Sequence, residues 1–223
     1  MKHINKIERI KAEVKGLNPQ EYRYIVKRVR EDLKLAVPKR RRALPIYLSG
    51  AEIYHARKIT MLKFQDDLLL FDFFWQTGLR LAEVCSFMVA DIDFYNNIIK
   101  VVDGKGSKDR FVPIGMNLSV RLKEFTKNSK GYLFNHNGRR YTPRAIQYRL
   151  NKIFKACNFD KKVHVHTLRH TFATILRAKG VKLEKIQQYM GHSSYKTTEI
   201  YAHMIQDTVS QAQIMQIMDG GLE

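Results

Sequence analysis

Between His164 and Met204 the chain reads HVHTLRHTFATILRAKGVKLEKIQQYMGHSSYKTTEIYAHM, with five histidines and a tyrosine, Tyr201, close to the end. No paired carboxylates and no cysteine stand among His166, Arg169, His192 and Tyr201. A phenol can attack a phosphodiester when cations stabilise the pentacovalent transition state and an acid protonates the leaving oxygen. Arg80, Lys105, His166, Arg169 and His192 would supply those functions around Tyr201. One tyrosine among 11 says little by its type. Its place on the helix after the break at His192 is what singles it out.

Each of these residues also has a plainer reading. Basic side chains usually lie on solvated faces, so an arginine inside an apolar helical pattern needs a reason. Arg80 in TGLRLAEV and Arg169 in HTLRHTF both sit at helix starts, where a guanidinium fork and backbone N–H groups suit a phosphate. The alternative is a buried ion pair, with Glu83 the partner at hand. Lys105 in DGKGSKDR is either a solvated turn lysine or a mobile proton donor on a hairpin tip. The GxxxxGK[ST] phosphate loop is absent. His166 and His170 have the i, i+4 spacing of zinc ligands, but the glutamate of HExxH and a third ligand are missing, and Arg169 would set a positive charge beside the ion. No metal is expected, nor a serine triad, since GxSxG is absent.

The composition points to the same polyanion. Forty Lys and Arg face 21 Asp and Glu in 223 residues, a net charge of +19. Such self-repulsion is relieved by a polyanion, and nucleic acid is the commonest one. The two cysteines, Cys85 and Cys157, lie far apart in apolar surroundings, which fits neither a disulfide framework nor a CxxC metal site and suits a reducing cytoplasm. The N-terminal MKHINKIERIKAEVKGL has no apolar core of a signal peptide, and LLLFDFF is too short to cross a bilayer, so no membrane partner is expected.

The elements that must position these residues are mainly helical. Ile4, Ile7, Ile10, Val14 and Leu17 have helical spacing, and Asn18, Pro19 and Glu21 form the start of a second helix running to about Ala36. Pro38 stops it, and residues 1–43 make a short basic arm that ends in the linker PKRRRALP. Residues 44–223 make the catalytic domain. Its helices begin at Ser49 and include FQDDLLLFDFFWQTG, ended by Gly78, and LRLAEVCSFM. NIIKVVDGKGSKDRFVPIG reads as a β-hairpin, to which GYLF would add a third strand. From Thr142 the periodicity is helical to the end, with breaks at 158–160, Gly180 and Gly191. The expected fold is mainly α with a small antiparallel β-sheet, an α+β class.

Four segments in order, TGLRLAEV, GKGSKDRFVPI, HTLRH and MGHSSYKTTEIYAH, resemble the motif set of the tyrosine site-specific recombinases, the phage integrases and the recombinases that resolve chromosome dimers. Each is weak alone. In register, with the HxxR spacing and the nine-residue step from His192 to Tyr201, they are specific, and the resemblance covers Leu44 to Met204.

The resemblance implies that Tyr201 is the nucleophile, leaving a 3′-phosphotyrosyl enzyme and a free 5′-hydroxyl. Arg80 and Arg169 would clamp the non-bridging oxygens and Lys105 would protonate the leaving 5′-oxygen. His166 would serve proton transfer at the tyrosine, and His192 would hydrogen-bond the phosphate. The bond energy stays in the covalent link, so no cofactor, ATP or metal is implied. The implied partner is double-stranded DNA with a specific recombination site, bound by a homotetramer that passes through a Holliday junction. The C-terminal segment IQDTVSQAQIMQIM would be an oligomerisation helix, with docking onto its own subunit the alternative. Further DNA contacts are expected from Lys39, Arg40, Arg41 and Arg42 in the linker and from Lys108, Arg110, Arg139 and Arg140.

The outcome would be integration, excision or inversion, in the cytoplasm, on the nucleoid of a prokaryote or on a viral or mobile element. The arm is about half the size of the helical core-binding domain of such proteins, which implies an accessory DNA-bending or helper protein. A type IB-like topoisomerase and a non-catalytic DNA-binding protein are the competing readings. All six polar residues of the motif set are present, which speaks against the last.

Overall fold

The computed structural model describes residues 2–34, 45–102, 109–191 and 219. The chain divides into two compact units, Met1–Ala43 and Leu44–Glu223.

The first unit holds α1 (Lys2–Val14) and α2 (Pro19–Asp32). Asn18 starts α2 as the sequence predicts. Its side chain accepts from the N–H groups of Gln20 and Glu21 at 2.9 and 3.0 Å, and the Glu21 carboxylate accepts from Asn18 N at 3.0 Å. These local bonds satisfy donors that a helix start leaves open. Packing contributes less here, since α2 buries none of its residues. Ile7, Ile10, Ile25, Val29 and Leu33 remain exposed. The linker residues Lys39, Arg40, Arg41 and Arg42 lie outside the described residues.

The second unit is built around one very apolar helix, α4 (Leu68–Thr77), with Phe71, Phe73, Phe74 and Trp75 all buried. Burial of each such side chain contributes about 1.5–3 kcal/mol. A 3₁₀ turn at Gln65–Asp67 precedes it, so the helix starts later than the apolar run alone suggests. Against α4 pack α3 (Gly50–Lys63), α6 (Met116–Thr126) and α8 (Val165–Ala178), while α3 also packs on α7 (Pro143–Cys157). Ser49 caps α3 through a reciprocal pair with Glu52. The packing of α8 on α4 requires Gly78. Its φ is +61°, and a Cβ there would lie 2.4 Å from the ring of the buried Phe172.

One charge sits inside this core. Asp72, fully buried, receives Arg57 of α3 at 2.8 Å, Arg121 of α6, and the indole N–H of Trp75 at 3.1 Å. It ties three helices through hydrogen bonds that offset its desolvation. At the start of α6, the Asp219 carboxylate accepts from the N–H groups of Met116 and Asn117 at 2.7 and 2.9 Å. The helix cap residue there is Gly115, which has no side chain to do this, so a residue near the C-terminus does.

Following α5 (Leu81–Ser86), a three-stranded antiparallel sheet is ordered β1 (Ile92–Asp93), β2 (Ile98–Val101), β3 (Arg110–Pro113). The predicted hairpin is β2 and β3, in register from Ile98 opposite Pro113 to Val101 opposite Arg110. Its third strand is not GYLF. Tyr132 makes a single bridge to Met88, and the short β1 takes the edge instead, pairing Ile92 with Ile99. A separate small hairpin, β4 (Asn135–His136) and β5 (Arg139–Arg140), leads into α7. Helix α9 (Leu183–Met190) packs on α8 and β3. The architecture is mainly α with a small antiparallel sheet, as expected. No described helix is long and apolar enough to cross a membrane.

Candidate active site at the end of helix α9

A helix leaves its last carbonyls without intrahelical donors and carries partial negative charge at that end. Helix α9 ends at Gly191, whose φ of +60° and ψ of 45° turn the chain out of the helix immediately before His192. Three consecutive carbonyls at this end each take one arginine. Arg110 Nε donates to Tyr189 O at 2.8 Å, Arg169 Nη2 donates to Met190 O, and Arg80 Nη2 donates to Gly191 O. The three come from different elements: β3, the second turn of α8, and the residue that caps α5. Arg169 is buried and also donates through Nη1 to Gly78 O, the carbonyl at the end of α4. Two helix ends therefore fix its guanidinium plane.

Glu83 sits between Arg80 and Arg110. Its Oε1 accepts from Arg80 Nη1 at 2.8 Å and from Arg110 Nη1 at 2.9 Å. Its Oε2 accepts from Arg80 N at 2.6 Å and from Arg110 Nη2 at 2.7 Å. Burial alone would raise the Glu83 carboxyl, but the hydrogen bonds and charge of Arg110, followed by those of Arg80, hold it below the ordinary carboxylate range. The ion pair with Glu83 that the sequence offers as an alternative to a phosphate-binding Arg80 is thus present. It coexists with a side chain that keeps 38% of its surface exposed.

His166 lies on the exposed side of α8, one turn before His170. Partial desolvation, then the charges of His164 and Arg169, lower its pKa, so the neutral imidazole is favoured near neutral pH. The rings of His164 and His166 meet edge to face at 6.2 Å. His170 is pushed down to about 4 by burial, and then by His166, Arg169 and His164.

The structure therefore brings Arg80 and Arg169 together at the end of α9, with His166 on the same helix as Arg169. Lys105, Lys108, His192 and Tyr201 lie outside the described residues. Lys105 and Lys108 fall in the segment between β2 and β3, and His192 directly follows Gly191. Arg139 and Arg140 are exposed on β5. Arg110 is placed differently from a surface DNA contact. Only 7% of it is exposed, and its Nε, Nη1 and Nη2 donors turn inward to Tyr189 O and Glu83. The reason is the strand pleat: Arg110 shares a face with the fully buried Val112, while Phe111 points out. That alternation is readable in RFVP, and Glu83 stands three residues after Arg80 at capping-box spacing. The first signal gives Arg110 its inward placing, and the second gives Glu83 its place beside Arg80.

The sequence profile of the phage integrase family matches residues 51–207. A tyrosine recombinase of Pseudothermotoga lettingae is 36% identical over 172 residues, which is 75% of this chain and 59% of that protein. Among solved structures, XerA recombinase is similar at 28% identity with a TM-score of 0.65, covering 98% of this chain and 83% of that one. The XerH site-specific recombinase, in a post-cleavage complex with its palindromic difH substrate, is similar at 25% identity with a TM-score of 0.61, covering 72% and 50%. The chain spans about three fifths of the length of the curated relatives it matches. With the four motifs in order, the arginines of two of them gathered on one helix end and the profile matching most of its length, this chain belongs to the phage integrase family.

Proposed function

We propose that this chain cleaves and rejoins double-stranded DNA at a specific site through a covalent tyrosyl intermediate, as a site-specific recombinase. The observation that carries this reading is the placing of Arg80 and Arg169 on adjacent carbonyls, Gly191 O and Met190 O, directly before His192. Guanidinium groups held this way need little reorganisation when negative charge develops on a phosphate, which is where preorganised donors contribute most. A relative seen with its DNA substrate supports the substrate class.

In the proposed reaction the phenol oxygen of Tyr201 attacks the scissile phosphorus. The bond from phosphorus to the 5′-oxygen breaks, leaving a 3′-phosphotyrosyl link. His166 takes the phenol proton, for which its lowered pKa suits it. Lys105 gives a proton to the departing 5′-oxygen, and His192 donates to the phosphate with Arg80 and Arg169. Attack by a 5′-hydroxyl from another strand reverses each step and exchanges partners. The working assembly is a homotetramer on two duplexes, with the arm and the linker residues Lys39–Arg42 contacting the backbone and an accessory protein supplementing the short arm. The setting is the cytoplasmic nucleoid of a prokaryote, or a viral or mobile element.

The experiment is cleavage of a nicked duplex selected from a random-sequence pool by binding to this chain. Arg80→Ala and Arg169→Ala should each slow cleavage by about a hundredfold or more while affinity changes much less. Equal losses in binding and cleavage would make both residues ordinary DNA contacts.

A further inference from the structure

Of the histidines in HVHTLRH, only His166 has a part in the proposed reaction. Among the described residues, no group of three His, Cys, Asp or Glu side chains could hold a metal ion. His164 therefore needs another account. Residues two apart on a helix do not face each other. His164 and His166 nonetheless meet edge to face, with ring centroids 6.2 Å apart and planes at 80°. The reason is local. His164 stands just before α8 on extended backbone, with φ of −146° and ψ of 174°, so its ring is not bound by the helical spacing. Thr167 fastens it there. That side chain is fully buried, and its Oγ1 accepts from His164 N at 3.2 Å and lies 3.4 Å from His164 Nδ1. Thr167 N in turn donates to His164 O at 2.8 Å.

We propose that His164 is a positioning residue for His166: fastened to Thr167, its imidazole packs against the ring that takes the phenol proton and fixes the direction of that ring. Edge-to-face packing is a preferred arrangement of two rings and restricts the rotation of each. A base misplaced by about 1 Å can cost about a hundredfold in rate. The contact also acts through charge. Desolvation first, then His164 and Arg169, disfavour a proton on His166. His170, one turn later, is pushed down to about 4 by burial and then by His166, Arg169 and His164. Among the described residues these are the titratable and charged side chains that bear on His166. A charged His164 opposes a second charge on His166, so the base keeps its free lone pair to lower pH.

This inference rests on the reading of His166 as the base, and the test separates the two. Single-turnover cleavage of the selected nicked duplex by the full chain is followed against pH. His164→Asn replaces the ring with a favoured capping residue, so the start of α8 is kept. At neutral pH it should slow cleavage by about tenfold with little change in affinity. Its acid limb should move to higher pH, because His166 then gains a proton more easily. His164→Phe restores a ring without a charge. It should recover the rate to within about threefold of the parent, while the acid limb stays displaced upward. An NMR titration of the histidine rings in the free protein should show the His166 midpoint raised in both variants. A His164→Asn variant with the parent's rate and acid limb would overturn the role of His164. Equal losses in both variants with an unmoved acid limb would also overturn it, as the mark of a DNA contact or of the helix start. A His166→Gln variant with the parent's rate and acid limb would show that His166 is not the base, and the inference falls with that reading.

Discussion

Arg80 and Arg169 donate to neighbouring backbone carbonyls, Gly191 O and Met190 O, although one caps α5 and the other lies within α8. The end of α9 is therefore a common support for both motif arginines, and the residue that follows is the motif histidine, His192. A side chain held by a backbone carbonyl keeps its orientation only as well as the backbone does. Here that backbone is packed, with Ile186 and Met190 of α9 buried.

The core charge at Asp72 should be costly to disturb. Asp72→Ala leaves Arg57 and Arg121 without their shared carboxylate and the Trp75 indole without its acceptor, and loss of a hydrogen bond to a charged group typically costs about 1.5–3 kcal/mol. Urea unfolding should show a lower midpoint with an unchanged slope. A midpoint within error of the parent would mean that the three helices do not depend on this residue.

Stability should also fall with acid, in a window set by His170. Its folded pKa of about 4 lies below the ordinary 6.5, so between those values the unfolded chain binds a proton that the native chain does not. Stability then rises with pH across that window, and is lost as pH falls from 6.5 towards 4. His166, also lowered, adds to the same slope. His170→Gln should flatten the dependence of the urea midpoint on pH. An identical slope in the variant would assign the acid sensitivity elsewhere.

Local signals in the sequence were the readable ones. Asn18 with Glu21 and Ser49 with Glu52 form reciprocal caps that depend on three-residue spacing alone, and both are present. The hairpin of β2 and β3 follows from its β-branched runs. The third strand was misassigned because β1 is two residues long and contains Asp93, so only its pairing with β2 defines it. Leu133 of GYLF is apolar because it is buried, not because it joins the ladder. The two motif arginines were legible from their apolar surroundings. Their shared support was not, since Gly191 O and Met190 O are backbone atoms that no residue type announces. Asp219 on α6 was equally hidden, being a contact between segments far apart in the chain.

The arm should contribute to binding and little to folding. Residues 1–43 hold 14 basic and five acidic side chains, while every buried residue among those described lies between Leu48 and Met190. Deleting residues 1–43 should leave the thermal transition of the second unit nearly unchanged. It should weaken DNA binding and flatten its dependence on salt, because fewer counterions are released. Binding that is unchanged at every salt concentration would remove the arm from the interface.

The most direct measurement is the chemical identity of the link to DNA. The full chain is incubated with the selected nicked duplex, whose cleaved end cannot be rejoined, and the adduct is digested and mapped by mass spectrometry. The phosphodiester should be attached to Tyr201, Tyr201→Phe should bind the duplex and give no adduct, and Tyr195→Phe should still give one. An adduct that persists in Tyr201→Phe, or one that maps to Tyr195, would contradict the assignment of the nucleophile.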